Sequence, residues 1–291
     1  MLGAGLILFL AVLQGATELF PVSSLGHAVV VPPLLHLSFR ETDPAFVPVL
    51  TLLHLGTAGA LIVLYRDQWW RILRGFVRAA VRGRVADSDE RLAVLLLVGT
   101  IPAALVGFFF VSALKSLFAD PRFAASMLIV NGAILLAAEV FRRRDEAARG
   151  APIAAPASHA AGDPAYEPLE SLTVRRALLV GLCQVGALLP GISRSGVTIA
   201  AGLVAGLRHE EAARFSFLLA TPVILAAGLL EVPDLGPDRP TALLGAAAAV
   251  VAGVIAYLSA RFLLRYLRSG RLDPFAYYCA ALGVAGLVLI R

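Results

Sequence analysis

Long apolar runs dominate this chain, and where polar residues break them decides the architecture. Six runs lie at about 45–65, 92–112, 123–141, 212–230, 241–263 and 274–290. Each is close to the length of about 20 residues that a helix needs to cross a bilayer. Two more apolar regions, about 2–36 and 176–206, are interrupted by Pro, Gly and Ser. Each is long enough for two half-helices and awkward for two spans. The pattern predicts an all-α polytopic membrane protein with six transmembrane helices plus two re-entrant helix-break-helix pairs.

Arginine placement supports that count. With both termini outside, four loops face the cytoplasm: Arg66 to Arg91, Arg142 to Arg176, Arg208 to Arg214 and Arg261 to Arg271. Together they hold nineteen of the 25 Lys and Arg residues. Reading either interrupted region as one simple span would flip every later loop and spoil this asymmetry. The two halves then insert in opposite senses, and their broken segments echo each other at an offset of 170. Gln14 matches Gln184, Ser23 matches Ser193 and Gly26 matches Gly196. This is the signature of an inverted-topology repeat whose broken helices meet near the midplane. We divide the single membrane domain into a first repeat (1–142), a cytoplasmic linker (143–174) and a second repeat (175–291). The linker is rich in Ala, Pro and charge, and no site is expected there. His159 reads as a solvated loop residue.

Composition narrows the class further. Of the 291 residues 59% are hydrophobic and 15% charged, against about 25% charged in soluble domains. The mean hydropathy is +0.82. The net charge of +5 comes from loop arginines that orient the chain, so it does not point to nucleic acid. Cys183 and Cys279 lie in apolar surroundings and read as small hydrophobes rather than a disulfide. The apolar N-terminus lacks a basic leader and does not read as a cleaved signal peptide.

The chemistry sits in the two interruptions. Gln14 and Glu18 are spaced i, i+4 and share a helix face, which lipid cannot hydrate. Phe20-Pro21 ends that half-helix. Ser23 or Ser24 can cap the next one, whose N-terminal N–H groups suit an anion, and His27 lies one turn on. In the second interruption Pro190-Gly191 breaks the helix before Ser193, Arg194, Ser195, Gly196 and Thr198. An arginine fork fits phosphate oxygens. A carboxylate beside an anionic ligand suggests an intervening divalent cation, Mg²⁺ or Ca²⁺, held by Glu18 with Gln14. Blander readings stand beside these: a structural Glu18–Arg194 ion pair, serines that only cap, and a core histidine at 27. His54 is membrane-embedded and reads as structural. Glu139 reads as an interfacial ion-pair partner of Arg142 to Arg144. His36 and His209 need no function, and Tyr65, Trp69 and Trp70 read as an aromatic belt.

These residues resemble the undecaprenyl-diphosphate phosphatase family of the bacitracin-resistance type. The likeness rests on Gln14-x-x-x-Glu18 followed by Pro21-Val22-Ser23-Ser24-Leu25-Gly26-His27, and on Pro190-Gly191-Ile192-Ser193-Arg194-Ser195-Gly196-Val197-Thr198. It spans nearly the whole chain, with Gln14 taking the amide option of the family's first position.

The resemblance implies hydrolysis of undecaprenyl diphosphate to undecaprenyl phosphate and inorganic phosphate. That recycles the lipid carrier of cell-wall synthesis and confers bacitracin resistance. It implies a multi-pass protein of the bacterial cytoplasmic (inner) membrane with its site open to the extracytoplasmic side. The expected partners are the polyprenyl diphosphate and membrane lipid, with a homodimer left open. In the expected mechanism Glu18 and Gln14 hold the cation and Arg194 clamps phosphoryl oxygens. Ser24 attacks, with His27 as general base or proton donor. Ser23, Ser193, Ser195 and Thr198 hydrogen-bond phosphate. His27 as nucleophile and metal-bound water remain alternatives, and a polyprenyl-phosphate flippase using the same midplane site is the alternative function.

Overall fold

The computed structural model describes residues 3–37, 46–117, 120–148, 169, 172–231, 239–268 and 270–290. Among these residues there are eleven helices and no strands. The two interrupted regions are each two short helices around a break: α1 (Ala4–Thr17) with α2 (Ser24–Leu34), and α7 (Val174–Gly186) with α8 (Arg194–Val204). The uninterrupted runs lie within α3 (Phe46–Leu64), α5 (Ser88–Leu117), α6 (Pro121–Ala148), α9 (His209–Glu231), α10 (Arg239–Leu267) and α11 (Asp273–Leu289). Most of the linker, with His159, lies outside the described residues, as does Arg40.

Among the described residues four helices are long and apolar enough to cross a membrane, those over Ser88–Phe110, Pro121–Ala148, His209–Gly228 and Leu243–Leu267, and the bent pair Pro48–Leu64 with Arg66–Arg82 makes a fifth if it is one span. The chain is therefore a multi-pass membrane protein. α11 has 17 residues, short of a full crossing on its own. One stretch counted above as a loop is helical: α4 (Arg66–Arg82) leaves α3 at a bend of 87°. Its arginines alternate with Trp, Ile, Leu, Phe and Val at helical spacing, giving one basic and one apolar face. This two-faced pattern is that of interfacial helices. Trp70 is exposed on it with the Arg74 guanidinium 4.5 Å above its ring.

α10 packs along α3 and α1, α11 along α6, and α5 along α7. Small residues permit the closest approach: a Cβ on Gly56 would sit 2.0 Å from the Ala249 carbonyl oxygen, so α3 and α10 touch backbone to backbone. The largest buried cluster includes Leu19, Leu61, Leu95, Ile199, Phe215 and Phe217. It ties the end of α1 to α8 and α9, which holds the two breaks side by side.

Candidate active site

The breaks interlock through backbone groups that the missing helical turns leave free. The Phe20 carbonyl accepts from Ser195 Oγ at 2.8 Å and from Ser193 Oγ at 3.3 Å. From α6, Asn131 clamps both sides: its Nδ2 donates to the Pro21 carbonyl at 3.0 Å, and its Oδ1 accepts from the Ser193 N–H at 2.9 Å. The Phe20 ring lies against Phe262 and Phe275, with centroids at 6.1 and 5.5 Å.

Ser23 and Ser193 perform the same local task in the two halves. Each hydroxyl oxygen accepts from the backbone N–H three residues on, Gly26 at 3.1 Å and Gly196 at 3.0 Å, which starts α2 and α8. Ser23 does so at φ +66°, a left-handed conformation costly for a residue with a side chain. Gly191 has φ +98°, and a Cβ there would lie 2.2 Å from the Ala124 carbonyl oxygen. Only glycine fits that corner.

Where the breaks meet there is a cavity of about 260 Å³. Its polar wall carries Glu18, Ser23, Ser24, His54, Ser193 and Arg194, and its apolar wall includes Leu25, Leu50, Leu188, Ile192, Val223 and Ile224. Ser24 Oγ donates to Glu18 Oε2. Gln14 Nε2 donates to the same oxygen at 2.8 Å. Arg194 Nη2 donates to Glu18 Oε1, and its Nη1 to the Ala220 carbonyl at 3.2 Å. His54 Nε2 stands 3.3 Å from Glu18 Oε2. The starts of α2 and α8 add partial positive charge at the same place. One carboxylate thus meets four donor groups, about as many as its two oxygens accept, and the helix starts beside it favour an incoming anion.

The structure brings Gln14, Glu18, Ser24 and Arg194 together and leaves Ser23 and Ser193 at the cavity wall. It does not bring Gln14, His27, Ser195 or Thr198 to the cavity lining. His27 is buried against α11. Its Nδ1 meets the Ser23 carbonyl at 2.7 Å, so in the neutral ring Nδ1 carries the proton. Nε2 then accepts from the Tyr278 hydroxyl at 2.7 Å, with the two rings stacked. Both nitrogens are engaged away from Ser24. Ser195 is spent on the Phe20 carbonyl, and Thr198 on the Arg194 carbonyl and Ser216 at 2.7 and 2.6 Å. The residues that sequence reasoning missed are Asn131 and Tyr278; a lone Asn within an apolar run was the available signal for the first.

For a divalent cation the donor set is thin. Among the described residues no three His, Cys, Asp or Glu converge on one point. Glu18 supplies the cavity's carboxylate, and Gln14 Oε1 is buried without a hydrogen-bond partner. Of the two expected ligands, Glu18 faces the cavity and Gln14 does not line it.

Comparison with known proteins agrees with this picture. The family model for bacitracin resistance protein BacA matches residues 7–285. An undecaprenyl-diphosphatase from Acidiphilium cryptum (strain JF-5) is 47% identical over 287 residues, covering 96% of this chain and 95% of that protein. One from Mycolicibacterium paratuberculosis (strain ATCC BAA-968 / K-10) is 46% identical over 94% of this chain and 93% of its own. Undecaprenyl-diphosphatase 2 from Burkholderia thailandensis (strain E264) is 46% identical, with 96% and 94% covered.

Proposed function

The chain belongs to the bacitracin resistance protein BacA family, and we propose that it is an integral membrane phosphatase acting on undecaprenyl diphosphate. The products are undecaprenyl phosphate and inorganic phosphate, so the enzyme recycles the cell-wall lipid carrier. The observation that carries this reading is the Ser24 hydroxyl bonded to the Glu18 carboxylate, inside a cavity that also holds Arg194. That is a nucleophile, its base and an oxyanion partner within one contact shell.

In the first step Ser24 Oγ attacks the terminal phosphorus and its proton passes to Glu18. The Oγ–P bond forms, the bridging P–O bond breaks, and undecaprenyl phosphate leaves with the electron pair. Protonation removes the negative charge of Glu18, which frees Arg194 to meet the phosphoryl oxygens. In the second step water attacks the phosphoserine and the Oγ–P bond breaks. Ser24 regains its proton from Glu18, one water proton stays on the released phosphate and the other passes to solvent. The hydrogen bonds of His27 favour a supporting role that orients the turn carrying Ser24, with Glu18 rather than His27 as base. Ser23 and Ser193 line the phosphate's path. A divalent cation, Mg²⁺ or Ca²⁺, would supply positive charge at the diphosphate, with Glu18 as its ligand before the proton transfer and Gln14 beside it.

The apolar wall between α3 and α9 takes the first prenyl units, while the rest of the tail lies in the bilayer. The matched serine caps at 23 and 193 support an inverted repeat of 1–142 and 175–291 about the linker 143–174, with six spans and two re-entrant pairs. The arginine asymmetry supports an inner-membrane orientation with the cavity opening on the extracytoplasmic side.

The test is phosphate release from undecaprenyl diphosphate by purified protein, with Mg²⁺, Ca²⁺ or EDTA. Release that EDTA abolishes, and that Ser24→Ala and Arg194→Ala lower by about a thousandfold or more, is expected. A folded wild type that releases no phosphate would sink the reading. Gln14→Glu, which adds a second carboxylate, should lower the metal concentration needed for half-maximal rate.

A further inference from the structure

α10 ends in a basic groove that the reaction above does not use. Its membrane-crossing stretch, Leu243–Leu267, carries Arg261 and Arg265 in the last two turns, and Arg268 follows. The three are spaced four and three residues apart, so they share one helix face. With Phe262 and Leu264 they line an open groove of about 530 Å³. The Phe262 ring also lies against Phe20, centroids 6.1 Å apart, so the first break backs the apolar part of the groove. Arg268 has an acidic partner: its Nε donates to Glu210 Oε1 at 3.1 Å. The Arg261 guanidinium lies 5.7 Å from the centre of the Tyr257 ring. Among the described residues neither Arg261 nor Arg265 meets a carboxylate. The groove therefore holds more positive charge than the protein itself neutralises.

An apolar track leads to these arginines. Val250, Val254, Leu258 and Phe262 recur every fourth residue on α10, and all four are exposed. From Val250 to Phe262 the track covers about 18 Å of helix, close to one leaflet of hydrocarbon. A soluble anion would use the arginines and leave the track bare. A phospholipid with a net negative headgroup uses both. The packing of α3 on α10 is parallel, with Gly245 against Leu52 and Gly253 against Gly56. The groove and the start of the arginine-rich α4 therefore lie at the same end of the molecule, where an anionic leaflet would meet both.

We propose that the end of α10 is a binding site for an anionic phospholipid. Arg261 and Arg265, flanked by Arg268, hold the headgroup phosphate through their guanidinium N–H donors. One acyl chain lies along Val250, Val254, Leu258 and Phe262. A zwitterionic lipid offers the same chain without the net charge, so the arginines select for the anionic one.

The test does not depend on phosphatase activity. Purified full-length protein in a non-ionic detergent is titrated with phosphatidylglycerol or with phosphatidylcholine of the same chains, and bound lipid is counted by native mass spectrometry. Melting temperature and monodispersity are recorded for every variant. Wild type should bind phosphatidylglycerol about 10-fold or more tighter than phosphatidylcholine. Arg261→Gln with Arg265→Gln should remove that preference, and Arg261→Lys with Arg265→Lys, which keeps the charge, should retain most of it. Arg71→Gln with Arg74→Gln takes the same charge from α4 and should leave the affinity within about threefold of wild type. Equal binding of the two lipids by wild type would overturn the proposal. An equal loss in the α4 and α10 glutamine variants would do so too, since general surface charge then suffices. Displacement of phosphatidylglycerol by excess inorganic phosphate would assign the arginines to a soluble anion and overturn the lipid. If the α10 double glutamine variant is not monodisperse, Arg265→Gln alone decides: a loss of about fivefold is expected, and no loss overturns the site.

Discussion

Glu18 and Glu139 are both buried carboxylates inside a membrane protein, each met by an arginine and a histidine, yet one lines a cavity and the other is sealed. Glu139 accepts from Arg142 Nε at 3.1 Å, from the Leu272 N–H at 2.8 Å, and sits 2.7 Å from His209 Nε2. Every partner belongs to a helix end or the turn between α10 and α11, and no hydroxyl is among them. This cluster pins α6, α9 and α11 together. Glu18 has a serine hydroxyl on one oxygen, a cation on the other, and open volume in front. Pairing alone therefore does not distinguish a site from a strut. The hydroxyl, the cavity and the two helix starts do.

The sharpest way to break this comparison is to remove each charge in turn. Glu18→Gln keeps the shape and loses the base. We expect phosphate release to fall by about a thousandfold, with a smaller loss of melting temperature than in Glu139→Leu, since the new amide oxygen still accepts from Arg194. Glu139→Leu should do the reverse. It leaves His209 and the Leu272 N–H without their acceptor and Arg142 with Glu146 alone, a loss of about 3 kcal/mol for a buried pair, read as a lower melting temperature with kcat of the folded fraction near wild type. Asn131→Ala tests the clamp between the breaks. Losing two buried hydrogen bonds should cost about 2–3 kcal/mol and lower kcat several-fold, because the clamp sets how Ser24 meets Arg194. Ser195→Ala should have the smallest effect, about 1 kcal/mol of stability, with KM unchanged. A large rise in KM there would return Ser195 to the phosphate-binding set.

Much of this arrangement is legible in the residues. The two breaks stand out because Pro, Gly and Ser clusters strip a spanning helix of backbone hydrogen bonds, which only a cavity or a protein partner can replace. Glu18, Ser24 and Arg194, one set from each break, do meet. What is not legible depends on direction rather than identity. Spacing allows His27 to face Ser24, but its ring nitrogens are taken by the Ser23 carbonyl and the Tyr278 hydroxyl instead. His54 stands in an apolar run as a lone histidine and reads as structural. Its place beside Glu18 depends on α3 crossing the break, which no local pattern encodes. α4 is hidden when the seven arginines from 66 to 91 are counted only as loop charges. The apolar residues between the five within α4, in fact, repeat at helical spacing.

The central claim is that Ser24, deprotonated by Glu18, carries the phosphoryl group. It is tested most directly by mixing wild-type protein with undecaprenyl diphosphate labelled in the terminal phosphate, quenching in acid within a turnover, and locating the label. The account predicts phosphoserine at Ser24, absent in Ser24→Ala and reduced in Glu18→Gln. Turnover at the normal rate with no labelled residue, or with label on His27, would contradict it.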